Sequence, residues 1–239
     1  MRLFMYLGFG GFYLDWYYLV LVVPALIIAF IAEIRVKSTF SKYSQVVTRR
    51  GLTGADAAEA ILRANGIRDV HVMPVSGTLT DHFDPKENVI HLSDSVYSSQ
   101  SVAAVGVAAH EAGHAVQYAE SYGPIKARTA IIPVTRVGSM LAVPLILLGI
   151  VFSIPALYAA GVVFFSLAMV FQLVTLPVEF NASRRAVSAL ETTAMLGEEE
   201  IRQAKKVLSA AALTYVATFA VSLMQLLRLV LLGRNRNRR

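Results

Sequence analysis

The chain has 239 residues, of which 56% are hydrophobic and only 16% charged, and its mean hydropathy is +0.57. A soluble globular chain carries about 25% charged residues, and a disordered one is charge-rich and apolar-poor, so both are excluded and a membrane protein is expected. The absence of cysteine excludes disulfides, thiolate metal sites and thiol catalysis, and the net charge of +6, with no basic stretch interleaved with aromatics, points to anionic lipid headgroups rather than nucleic acid.

Residues 16–32 carry no charge between Asp15 and Glu33. Such a run is near the short limit of about 17–25 residues for a spanning helix, and Trp16, Tyr17 and Tyr18 suit an interfacial belt. The alternative is a secretory signal peptide. Only Arg2 precedes the run and no small-residue cleavage site follows, so an uncleaved anchor is expected. A polar stretch of about 95 residues comes next. In it, 53–65 reads as an amphipathic helix stopped by Gly66, 69–75 alternates like a strand, 77–85 as a hairpin arm and turn, and 88–92 as the returning strand. Ser98, Ser99 or Ser101 can cap a helix running to about residue 119.

The 42 residues 137–178 hold no charge, too many for one crossing. Ser153-Ile154-Pro155 can turn the chain, which predicts a hairpin of helices over 130–152 and 156–178. Arg136 falls inside the first and should face protein or water, or reach the interface. A fourth apolar run covers 207–227, followed by Arg228 and a basic tail.

The helix ending near residue 119 contains His110-Glu111-Ala112-Gly113-His114. Two histidines four apart leave one face of a helix, so both imidazoles can reach one Zn²⁺. Glu111 lies to one side of that face, where it can hold a zinc-bound water as general base and pass its proton to a leaving amine. The neighbouring Ala108, Ala109, Ala112 and Ala115 suit close packing on another helix. A catalytic zinc needs a third protein ligand and one open position. His71, His82 and His91 are candidates without a positional signature. Glu179, at the end of the apolar hairpin and two crossings after His114, returns to the same membrane side and is favoured. Ser183 is one turn further along and can hydrogen-bond a ligand histidine.

The segments Thr78-Leu-Thr-Asp-His-Phe-Asp-Pro85, His110-Glu-Ala-Gly-His114 and Leu176-Pro-Val-Glu-Phe-Asn-Ala-Ser-Arg-Arg185 resemble the YugP-type neutral zinc metallopeptidases of bacterial membranes, over nearly the whole chain. The likeness to the wider gluzincin clan of HtpX-type and CAAX prenyl endopeptidases is looser. The resemblance implies His110, His114 and Glu179 as ligands of one Zn²⁺ per chain and Glu111 as base. Where the clan has an aspartate four residues after the ligand glutamate, this chain has Ser183, with Asn181 a rival partner for a histidine. By the same likeness the strand near His82 pairs with substrate backbone, where His82 could meet substrate or the developing oxyanion; the charges of Arg184 and Arg185 could stabilise that oxyanion too. The plainer reading makes Asp81 and Asp84 caps of a turn, Arg184 and Arg185 headgroup-facing charges, and Glu198 to Glu200 the solvated start of a helix.

The expected fold is an α-helical integral membrane protein with about four transmembrane helices and a small α+β zincin-like catalytic portion. Its expected divisions are an anchor (1–33), a catalytic portion (34–129), a transmembrane hairpin (130–178), a third-ligand helix and loop (179–206), and a last helix with basic tail (207–239). The expected activity is zinc-dependent endopeptidase cleavage of membrane-associated or misfolded polypeptides, in a multi-pass cell-membrane protein whose partners are substrate and bilayer. Ten lysines and arginines flank membrane ends on the side of the site against Arg2 and four tail arginines, which favours a cytoplasmic site, although the compact tail argues the other way. Two rivals remain. One is a membrane scaffold with a structural zinc, closed by His82 or His91. The other is a transporter, disfavoured because Arg136 is the one charge within the four spans.

Overall fold

A computed structural model describes residues 15–236. Arg2 and the tail residues Arg238 and Arg239, used in the charge comparison, lie outside them. A π-helical turn (Tyr18–Val22) leads into α1 (Val23–Tyr43). Then come α2 (Gly54–Ala64), β1 (His71–Val75), β2 (His82–Asp84), β3 (Val89–Ser93), α3 (Asp94–Tyr97), α4 (Val102–Ala119), α5 (Gly123–Val151), α6 (Pro155–Thr192) and α7 (Glu198–Arg236). Four stretches are long and apolar enough to cross a membrane: Tyr18–Tyr43, Gly123–Val151, Pro155–Thr192 and Glu198–Arg234. The protein is thus a helical membrane protein with a small α+β portion. The chain divides into two compact units.

One unit comprises the described parts of Met1–Ala32, Ala130–Val174 and Tyr215–Arg239. Its hairpin turns where expected. α5 ends at Val151, Ser153 takes a left-handed φ of 55°, and Pro155 opens α6, where its missing N–H costs nothing. Glycines let the two arms touch. A Cβ at Gly149 would come within 2.4 Å of the Tyr158 backbone nitrogen, and one at Gly161 within 2.7 Å of that of Ile146. The Tyr158 hydroxyl donates to the Leu229 carbonyl at 2.7 Å. Arg228 is buried and donates from Nε and Nη2 to one oxygen of Asp15, at 2.8 and 2.6 Å. Arg136 lies on an exposed face of α5. The hairpin helices are longer than the apolar run suggested. α5 begins at Gly123, and α6 continues past Glu179 to Thr192 without a break.

The other unit comprises Glu33–Thr129 and Thr175–Thr214. Its core gathers Ile61 and Leu62 of α2, Ile90 and Leu92 of β3, Val105 of α4 and Leu190 of α6. The sheet has the order β1-β3-β2. β2 and β3 form the expected antiparallel hairpin, while β1 pairs parallel to β3, through the intervening crossover, a pairing the alternation of 69–75 does not reveal. Ile90 and Leu92 turn to the core, and His91 lies on the opposite face, its ring stacked on that of His82 at 4.8 Å.

Thr53 starts α2 with a capping box, its hydroxyl accepting from the Asp56 N–H at 3.1 Å while Asp56 accepts from the Thr53 N–H at 2.9 Å. Gly66 follows with a φ of 70°, a left-handed stop. Thr53→Ala is expected to lower stability by about 1 kcal/mol, read as a lower thermal midpoint in detergent. The Thr53 hydroxyl and N–H together hold the Asp56 carboxyl below its ordinary range. Its contribution is therefore present at neutral pH and lost as pH falls through that lowered value. The acidic run at the start of α7 differs from expectation. Glu200 is buried, not solvated, and accepts from the Gly197 and Arg49 N–H groups at 2.6 and 2.7 Å, capping the helix and tying it to the loop after α1.

Candidate metal centre

The centre is built on α4. Ser101 caps it, accepting from the Ala104 N–H at 3.2 Å. Its run of alanines, valines and glycines is buried on nearly every face, so neighbouring backbones can approach closely. The closest approach is at Gly113. A Cβ there would stand 2.7 Å from the Ala182 carbonyl oxygen of α6. Glu179 is about one turn before Ala182, and this contact brings it to the histidine face of α4.

His110, His114 and Glu179 converge, with one ligand atom from each lying within 4.8 Å of the others. Glu179 Oε2 is 3.3 Å from His110 Nε2 and 3.5 Å from His114 Nε2. The two rings stand edge to face at 84°. Glu179 is 3% exposed, and its Oε2 has no hydrogen-bond partner among the described residues. Such an orphaned oxygen is costly unless something fills the space between it and the two nitrogens. The Nδ1 atoms are engaged elsewhere: His110 Nδ1 lies 3.1 Å from Ser183 Oγ, and His114 Nδ1 lies 3.0 Å from Gln117 Oε1. Two imidazoles offering Nε2 and one carboxylate oxygen suit Zn²⁺, with a position left open. The residues present therefore fit the metal.

Charge gathers around this group. Burial disfavours the charged form of His114, but the Glu179 and Glu111 carboxylates outweigh it and raise its pKa. Glu111 is itself only 8% exposed. Arg128 of α5 places Nη1 3.5 Å from the other Glu179 oxygen, and its buried Nε has no hydrogen-bond partner among the described residues. Sequence reasoning counted Arg128 only as a charge near a membrane end.

The other candidates fall in different places. Ser183 meets His110, as its position one turn after Glu179 suggested. Asn181 makes its side-chain hydrogen bonds to residues other than the histidines. Its side-chain oxygen accepts from Gln117 Nε2 at 2.9 Å and from Arg185 Nε at 2.7 Å. Arg184 is exposed, and it is the neighbouring Arg185 that binds Glu120, at 2.6 Å. That contact holds the Glu120 carboxyl below its ordinary range. His82 is exposed and donates from Nδ1 to the Thr80 carbonyl at 2.8 Å; neither it nor His91 belongs to the three-residue group. Asp84 accepts from the Lys86 N–H at 2.7 Å, a cap within the turn, whereas Asp81 accepts from the N–H of Ser93 at the end of β3 at 2.8 Å, across the hairpin rather than within the turn. Burial pushes the Asp81 carboxyl up despite those hydrogen bonds. Gln117 was missed. Its only sequence signal is its place three residues after His114, on the same side of the helix.

Residues 18–234 match a family described as "Putative neutral zinc metallopeptidase". The chain is 47% identical over 223 residues to the "Putative membrane protease YugP" of Bacillus subtilis (strain 168), a match covering 92% of this chain and 99% of that protein. No solved structure matches the chain.

Proposed function

The chain belongs to the family of putative neutral zinc metallopeptidases, and from that premise we propose that it is a membrane-embedded zinc endopeptidase in which His110, His114 and Glu179 hold the metal and Glu111 is the general base. The observation that carries this reading is the unsatisfied Glu179 Oε2 facing two histidine Nε2 atoms whose Nδ1 atoms are already engaged. Three protein ligands and an open position are the mark of a catalytic rather than a structural zinc. When bound, zinc supplies Lewis-acid polarisation of the scissile carbonyl and acidifies water beside it.

The protein's own groups do the rest. The Glu111 carboxylate takes a proton from the attacking water as the new C–O bond forms. It gives that proton to the departing amine nitrogen as the C–N bond breaks. The divisions at 33, 129, 178 and 206 then separate anchor, catalytic portion, hairpin, third-ligand segment and last helix. The substrate class is membrane-associated or misfolded polypeptide, and the site faces the cytoplasm, as the excess of lysine and arginine on its side favours.

Detergent-purified protein should retain about one zinc per chain and cleave an unfolded polypeptide in a chelator-sensitive way. Glu179→Ala should weaken zinc binding by more than the about 10–100-fold that loss of a supporting hydrogen bond costs. A Glu179→Ala protein with native zinc affinity would remove Glu179 from the ligand set.

A further inference from the structure

We propose that Gln117 is a positioning residue that sets the tautomer of His114, and that its own orientation is dictated by a run of hydrogen bonds starting at Arg185. This rests on the reading of His114 as a zinc ligand.

The polarity of each step is forced by the one before it. A guanidinium can only donate. Arg185 Nε lies 2.7 Å from the Asn181 side chain, so Asn181 must present its oxygen there. That oxygen lies 2.9 Å from the Gln117 amide, so Gln117 must present its nitrogen. The same nitrogen has a second proton, and it points to the Val178 carbonyl at 2.8 Å, which can only accept. With both amide protons committed, the Gln117 oxygen turns to His114 Nδ1 at 3.0 Å. Facing an acceptor, Nδ1 carries the ring proton. Nε2 then keeps its lone pair, on the side where Glu179 Oε2 stands 3.5 Å away.

A neutral imidazole exists as two tautomers, and the other one would put a proton where the metal must bind. Gln117 is fully buried, so no water competes for its hydrogen bonds. Arg185 is held at the far end by the Glu120 carboxylate at 2.6 Å and lies over the Tyr122 ring at 5.9 Å. His110 differs. Its Nδ1 partner is the Ser183 hydroxyl, which can donate or accept and so forces nothing. The lock acts on His114 alone.

The test compares zinc affinity, by competition with a chelator, in the native full chain, Gln117→Glu and Gln117→Met. Glutamate keeps an acceptor for the Nδ1 proton but loses both donated bonds. Methionine keeps the volume and loses the acceptor. A role in packing alone makes glutamate, a buried acid without its donors, the worse variant. The positioning role reverses that order. Methionine should weaken zinc binding about 10–100-fold and alter the cobalt-substituted spectrum, while glutamate stays within a few-fold of native. Methionine binding as tightly as glutamate, or tighter, would overturn the proposal. Should the methionine variant not fold, nitrogen NMR of histidine-labelled native apo-protein at alkaline pH reads the tautomer directly. A protonated Nδ1 on His114 supports the lock, and a protonated Nε2 overturns it. A native chain that binds no zinc would overturn the ligand reading instead, and the NMR arm would still report on the lock.

Discussion

Replacing Glu111 by glutamine is expected to lower peptide cleavage about 10²–10⁴-fold while leaving the zinc content near native. Glutamine keeps the shape and loses the ability to take a proton. Glu111 is next to His110 in α4 but outside the converging group, so its loss removes no ligand. Its near-complete burial matters as well. Largely removed from bulk water, the carboxylate meets the reacting water with little competing solvation. The measurement is cleavage of an unfolded polypeptide by both proteins, with zinc determined on the same samples. Equal cleavage by the two would show that Glu111 is not the base. Loss of zinc along with activity would make it part of the metal's support.

The second large effect comes from a single methyl group. Gly113→Ala adds an atom 2.7 Å from the Ala182 carbonyl oxygen, with the Ala182 carbonyl carbon and Cα at 3.3 and 3.4 Å. All three are backbone, so no side chain can swing away. Two terms oppose each other. Alanine is favoured over glycine within a helix by about 1 kcal/mol. Forcing apart two packed backbones costs about 1–3 kcal/mol. The net change in stability is therefore modest. The site is hit harder, because Glu179 is carried on the same turn of α6 that must retreat. Zinc binding should weaken at least about tenfold, on the scale of a disturbed ligand support, with a shift of only a few degrees in the thermal midpoint. Native zinc affinity in Gly113→Ala would mean that something other than this contact sets the spacing of α4 and α6.

Much of this could be read along the chain, and the gaps have physical causes. The histidine pair was legible because a four-residue spacing on a helix fixes a shared face. Ser183 was legible for the same reason, one turn after Glu179. The end of α6 was not. Charge returns at Glu179, but charge marks a change of surroundings rather than the end of a helix, and α6 runs on to Thr192. Glu200 misled in the opposite direction. An acidic run at a helix start is usually solvated, yet here one member turns inward to bind backbone N–H groups. The chain Arg185–Asn181–Gln117 was hidden because its members are ordinary polar residues, and only the packing of α4 on α6 brings them together. Arg184 and Arg185 could not be told apart, since two adjacent residues on a helix point about 100° apart and one sequence cannot say which points inward.

The converging residues are far apart in the order of synthesis. His110 and His114 are made first, and the whole of α5 and more than half of α6 must follow before Glu179 exists. On the proposed ligand set, a growing chain carries two ligands and the base through all that time but cannot hold a catalytic metal. Ser183, which supports His110, and Asn181 and Arg185, which orient Gln117, arrive later still. A nascent or truncated chain ending in the hairpin is thus an inactive precursor by construction. On that reading, catalytic competence arrives only when Glu179 has been translated, well after both histidines.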